Sequence, residues 1–260
     1  MKKKLTAVAL IVCMLAIMLV GASLAYFTDE TQTAENTFTV GNVSIELYEN
    51  KGNDKIYDGI DFEEAIIPGR VFDKNPTIEV GKNSQDCYAF LEMDLNKYVS
   101  LINLMGVEHY GSEYEGFTSF VTELAADKTL RADVVNKWFT GITHEDWQIM
   151  NLKEIETLVA SVAKGENPSH LKIVLGYIGG ADEGVLAADE SVTFMTGFHM
   201  PKTVTQSMMD GEDAYYIGET SKSNFNTDSA KFKMAFTAYA IQADEVDGIE
   251  KAYEYLFDAE

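Results

Sequence analysis

The sequence predicts a mainly β protein that carries a helical insertion, and three observations lead there. Segments with period-2 alternation recur on both sides of residues 96–166. That middle stretch switches to helical spacing. Turn signals rich in Gly, Pro, Asn and Asp punctuate the remainder.

Residues 1–25 come first and read as a cleaved secretory signal peptide. Lys2, Lys3 and Lys4 form a positive block, and no charged residue occurs from Leu5 to Leu24. Ser23 and Ala25 supply the small side chains of a signal peptidase site, so the mature chain is expected to start at Tyr26. The apolar run also approaches the roughly 20 residues needed to span a bilayer, the alternative being an uncleaved anchor. The small-x-small ending and the abrupt change to acidic, Thr-rich sequence favour cleavage. A lipoprotein signal needs a small residue before Cys13, where Val12 stands.

After a polar stretch, Phe38, Val40, Val43, Ile45 and Leu47 nearly alternate, with a phase shift at Gly41-Asn42 that predicts a bulge or turn. Asn50–Asp61 reads as a loop, and Ile66-Ile67-Pro68-Gly69 as a turn. Lys74–Val80 and Asp86–Leu95 read as strands. In the second, Cys87, Ala89, Leu91, Met93 and Leu95 share one face, while Tyr88 and Phe90 begin the other. Apolar residues on both faces mark an interior strand.

Within the insertion, Tyr98, Leu101, Ile102 and Met105 have helical spacing, as do Phe117, Phe120, Val121 and Leu124. Thr143-His144-Glu145-Asp146 resembles a capping box and predicts a helix over roughly 144–164, ending near Gly165. Strand signals return at Leu171–Ile178, Glu190–Met200, Ala214–Ile217 and Lys231–Ala243. Ile249, Ala252, Tyr253, Leu256 and Phe257 predict a C-terminal helix.

Three of the 20 Lys and Arg residues lie in the signal, which leaves 17 cations against 42 anions and a net charge of −25 on the mature chain. Such a balance argues against nucleic-acid binding, which needs cations at the phosphates, and suits a self-repelling soluble surface. Only Cys87 survives cleavage, so no disulfide forms within the mature chain, and its apolar neighbours make it a buried core thiol.

His109, His144, His170 and His199 are scattered, and Gln148 occupies the place of a second zinc ligand after His144-Glu145. The chain has no nucleophile elbow and no phosphate-binding glycine loop, and Asp54, Asp58 and Asp61 lack calcium-loop spacing. No cofactor, metal site or catalytic centre is expected.

Four segments, in order, resemble the TasA/camelysin family of secreted Gram-positive matrix and surface proteins. They are the junction Gly21-Ala22-Ser23-Leu24-Ala25-Tyr26-Phe27-Thr28-Asp29 with Asn36-Thr37-Phe38-Thr39-Val40-Gly41-Asn42-Val43; Ile67-Pro68-Gly69-Arg70-Val71 with Asp73-Lys74-Asn75-Pro76 and Tyr88-Ala89-Phe90; Glu190–Gly197 with Met200-Pro201; and Ala238–Asp244. Ala187-Ala188-Asp189 departs from the Pro-Gly turn often found there, and the insertion matches nothing in the family.

The resemblance implies a jelly-roll-like antiparallel β-sandwich spanning 26–260 as one domain, with 96–166 as a mostly helical insertion. It implies a secreted subunit of extracellular or biofilm-matrix fibres, located in the matrix or at the cell surface. Residues 26–40 would add as a donor strand to the next subunit, with Tyr26, Phe27, Phe38 and Val40 as side chains of that strand. Partners would be other copies of the chain, and a signal peptidase during export; the membrane enters only through the signal peptide. The residues themselves permit three arrangements of 26–40: exchange between subunits, pairing within its own subunit, or a disordered terminus. Alternative functions are a monomeric surface-binding or adhesion protein and, further off, a camelysin-like secreted metallopeptidase.

Overall fold

The computed structural model describes residues 28–32, 42–59, 67–143, 145–166, 168–205, 208–209 and 232–257, with the backbone alone for 28–32. Antiparallel strands and helices contribute nearly equal shares. The expected antiparallel sheets are present, but helix content exceeds that of a mainly β protein. The excess lies in four insertion helices and one near the C-terminus.

The largest sheet has six strands. Its order is β1 (Thr28–Gln32), β13 (Met234–Gln242), β6 (Cys87–Asn96), β9 (His170–Tyr177) and β8 (Trp147–Ile149), with β10 (Val185–Leu186) also paired to β6. All these pairings are antiparallel. β13 pairs with β6 from Cys87↔Gln242 to Leu95↔Met234. The opposite edge of β6 is shared: β10 takes Cys87 and Tyr88, and β9 takes Phe90 onward. Both faces of β6 are covered, which explains its doubly apolar start. Cys87, Ala89, Leu91, Met93 and Leu95 enter the main core, and Tyr88 and Phe90 enter a second one on the other face.

A four-stranded sheet runs β11 (Ser191–Thr193), β5 (Thr77–Val80), β2 (Ile45–Lys51), β3 (Asp54–Ile56). A three-stranded sheet runs β4 (Val71–Asp73), β12 (Gly197–His199), β7 (Phe139–Thr140). Ile45, Leu47, Ile78 and Val80 join the inward residues of β6 and β13 in the main core. The predicted Glu190–Met200 strand is therefore two strands in different sheets. The chain crosses between them at the buried Phe194 and Met195, where the Phe194 N–H donates to the Pro76 carbonyl (3.0 Å) and the Thr196 N–H to the Thr140 carbonyl (2.7 Å). The strand expected at 214–217 lies outside the described residues.

The expected loop at 50–61 begins as a hairpin, with Lys51 opposite Asp54. Gly52 sits at the first position of its two-residue turn with φ 67, where a type II′ turn demands positive φ. β3 is short and largely exposed, so no apolar alternation betrays it. The expected turn forms one residue later, at Ile67-Pro68-Gly69-Arg70: the Arg70 N–H donates to the Ile67 carbonyl (3.3 Å) and Gly69 has φ 82. Proline second and glycine third is the type II pattern.

The insertion contributes α1 (Tyr98–Tyr110), α2 (Phe117–Ala126), α3 (Lys128–Trp138) and α4 (Leu152–Ala163). Tyr98, Leu101, Met105, Phe117 and Phe120 are buried in the main core, so the insertion shares that core with the sheets. Asp127 caps α3, accepting from the Thr129 and Leu130 N–H groups (2.8 and 3.1 Å).

The helix predicted over 144–164 starts later, at Leu152, and Trp147–Ile149 is strand β8. His144 lies outside the described residues. Asn151 explains the late start. Its Nδ2 donates to the Lys172 carbonyl (2.9 Å), and its Oδ1 accepts from the Val174 N–H (2.9 Å). The Met150 N–H donates to the Val174 carbonyl (2.8 Å). The chain is thus tied to β9 through Asn151 and turns helical only beyond it. The end matches expectation, with Gly165 at φ 85. Asn151→Ala removes both side-chain bonds to the β9 backbone, one buried and one part-buried. The expected loss is about 2–3 kcal/mol, read from urea unfolding; a loss under about 0.5 kcal/mol would refute this account.

Helix α5 (Ile249–Phe257) closes the outer face of the large sheet. Tyr253 and Phe257 pack on Phe90 with ring centroids 6.2 and 5.9 Å away, and Phe257 also meets Tyr239 at 4.9 Å.

Candidate assembly edge and adjoining cleft

β1 ends the six-stranded sheet, pairing with β13 from Thr28↔Ile241 to Gln32↔Thr237. Its sequence, Thr-Asp-Glu-Thr-Gln, contains no apolar residue. The segment 28–32 thus pairs within its own chain, one of the three arrangements open to it. Main-chain bonding on β13 is what positions such a polar strand. Opposite Asp29 and Thr31 stand Ala240 and Ala238, both fully buried. The residues Ser23, Ala25, Tyr26, Phe27, Phe38 and Val40, singled out from the sequence, lie outside the described residues.

Where β1 stops, the start of β13 lines a cleft of about 190 Å³. Its lining includes Phe236, Tyr48 and Tyr57, the two tyrosine rings lying edge-to-face at 6.2 Å. The lining also includes an ion pair that is almost wholly buried. Lys74 Nζ donates to Glu49 Oε2 at 2.9 Å, and each side chain is 4% exposed. The ammonium lies 5.4 Å from the Phe236 ring centroid, within cation–π range. Beside the pair, Asn75 bonds both backbone groups of Asn50, donating from Nδ2 to the carbonyl (3.1 Å) and accepting the N–H at Oδ1.

Charged residues adjoin the two tyrosines. Lys55 pairs with Glu79 at 2.5 Å and lies over the Tyr48 ring at 4.1 Å. This bond holds the Glu79 carboxyl below its usual range and raises the Lys55 ammonium. Burial, then Glu79, raises the Tyr48 phenol, and burial foremost raises that of Tyr57. The Tyr57 hydroxyl donates to Glu46 Oε2 at 3.3 Å. Chemically, the cleft suits an aromatic side chain. Sequence reasoning missed it because Glu49 and Lys74 meet only through the tertiary fold.

The described histidines are apart in their bonding. His170 Nδ1 bonds Asp94 Oδ1 (2.7 Å), His199 Nδ1 donates to the Lys137 carbonyl (2.9 Å), and His109 packs on Tyr110 at 4.6 Å between centroids. Among the described residues, no group of three or more His, Cys, Asp or Glu is placed to hold a metal ion. No described helix is long and apolar enough to cross a membrane.

Cys87 is fully buried, as expected, and burial, with a smaller contribution from Asp86, pushes its thiol up to about 12. A thiolate-selective disulfide reagent at pH 8 is expected to leave the folded protein unlabelled and to label the urea-unfolded one. Rapid labelling of the folded protein would contradict this burial.

Neither a protein-family model nor a curated protein nor a solved structure matches the chain.

Proposed function

We propose that the chain is a secreted structural subunit of extracellular fibres, of the TasA/camelysin kind, which joins its neighbours by exchanging its N-terminal strand. In this reading the six- and four-stranded sheets are the layers of a jelly-roll-like sandwich. The role needs no catalytic centre and no cofactor, and its partners are other copies of the chain.

One observation carries the reading: the strand that follows the signal junction is a polar edge strand seated on β13. Backbone bonds made by such a strand are the same whether it comes from its own chain or from a neighbour, so exchange conserves them. Its sequence offers no apolar side chain to bury, so its release is cheap, and the vacated edge of β13 then presents unpaired N–H and C=O groups. A strand passed head-to-tail gives a heterologous contact and hence an open filament. Pairing within the chain would keep the edge covered until a neighbour replaces it.

The test is direct. Protein beginning at Tyr26 is expected to polymerise under conditions where protein lacking Tyr26–Thr37 stays monomeric, read by electron microscopy and sedimentation. Identical fibres from the shortened protein would sink strand exchange. Processed protein that stays monomeric yet binds a cell surface would favour the adhesion alternative.

A further inference from the structure

The cleft beside Phe236 continues the edge that β1 occupies. We infer that it receives the aromatic side chain of Phe38 from the exchanged arm of a second copy, an inference that rests on the strand exchange proposed above. Direction comes from register. Gln32 stands opposite Thr237, so the residues that follow it in an arm laid antiparallel on β13 run toward Phe236 and Met234. Among the described residues, nothing pairs with Met234–Phe236 on that side of β13. Phe38 is the first aromatic residue after Gln32. At about 3.3 Å per residue, the intervening arm spans roughly 20 Å, enough to cross the cleft and turn a ring back into it.

Size points to a side chain as the occupant. The cleft holds about 190 Å³, below the roughly 300–1,000 Å³ typical of small-molecule pockets. Its chemistry also fits: Tyr48, Tyr57 and Phe236 offer edge-to-face partners, and the buried Lys74 ammonium offers a cation–π partner. Charge agrees as well. Residues 26–40 carry Asp29, Glu30 and Glu35 and no Lys or Arg. In the cleft lining, Lys74 and Lys233 balance Glu49 and Asp58. The acidic arm therefore meets a neutral site on a strongly acidic molecule. Added strands take their affinity from main-chain bonds and their specificity from such side-chain pockets.

The experiment uses the full processed chain and its critical concentration for polymerisation. Phe38→Ala and Tyr57→Ala are each expected to raise it about tenfold, and the double variant no further, because both remove one contact. Tyr57 is 44% exposed, so its replacement is expected to leave the fold intact, checked by circular dichroism. Phe38→Ala stands as the deciding variant if Tyr57→Ala misfolds. Arm-dependent fibres of the parent with an unchanged critical concentration for Phe38→Ala would overturn the cleft inference alone. Effects that multiply in the double variant would overturn it too. A parent that forms no fibres, or fibres that form without the arm, would overturn the exchange reading itself.

Discussion

Lys74→Met is expected to destabilise the protein by about 3–5 kcal/mol, the range for breaking a buried ion pair from one side. The substitution removes the cation 2.9 Å from Glu49, whose side chain is only 4% exposed. A carboxylate at that depth has little water to turn to. The double variant Lys74→Met/Glu49→Leu is expected to recover most of the loss, because apolar residues of similar volume tolerate such a site as well as a charge pair does. Urea unfolding of parent, single and double variants at pH 7 gives the comparison. A single variant costing under about 1 kcal/mol would show that the pair is far better solvated than its burial indicates. Under the strand exchange proposed above, the pair would also bear on assembly, since it lines the cleft next to the sheet edge.

Phe90→Ala is expected to cost a similar amount, about 3–5 kcal/mol, the range for emptying a large buried aromatic site. Phe90 is fully buried in the smaller core, where Tyr253 and Phe257 close over it. Helix α5 has nine residues, too few to be stable alone in water. Its helicity therefore depends on the sheet face it covers. Losing Phe90 is expected to speed hydrogen exchange in α5 well before the amides of β6 and β13 are affected. Equal protection of α5 in parent and variant would mean that other contacts hold the helix.

What the sequence revealed and what it hid follow from the range of the interactions. β6 was legible because its two faces alternate and both are buried, so the pattern is written in ten consecutive residues. α1, α2 and α5 were legible from their apolar spacing. The start of α4 was not. Trp147, Ile149 and Met150 fit a helical period as well as a strand, and the choice is made by Asn151 bonding β9 from outside the local segment. The β2–β3 hairpin was hidden by polar residues whose ladder bonds leave no mark on composition. At the candidate site, the family resemblance implies strand for residues 28–32, whereas their polar sequence alone leaves exchange, self-pairing and disorder open. The cleft was invisible because β2, β3, β13 and Lys74 converge on it from distant parts of the chain. Cys87 was readable as core because it opens the apolar run Cys87–Leu91.

The position of β13 sets a clock. The last of the described strands lies between β1, the first of them, and β6, through pairs such as Thr28↔Ile241 and Cys87↔Gln242. Contacts this far apart in sequence form late and slowly. A chain emerging from the ribosome N-terminus first makes residues 28–32 about 200 residues before the strand that seats them. Until β13 is made, the 28–32 strand has no edge to join and the sheet stays incomplete.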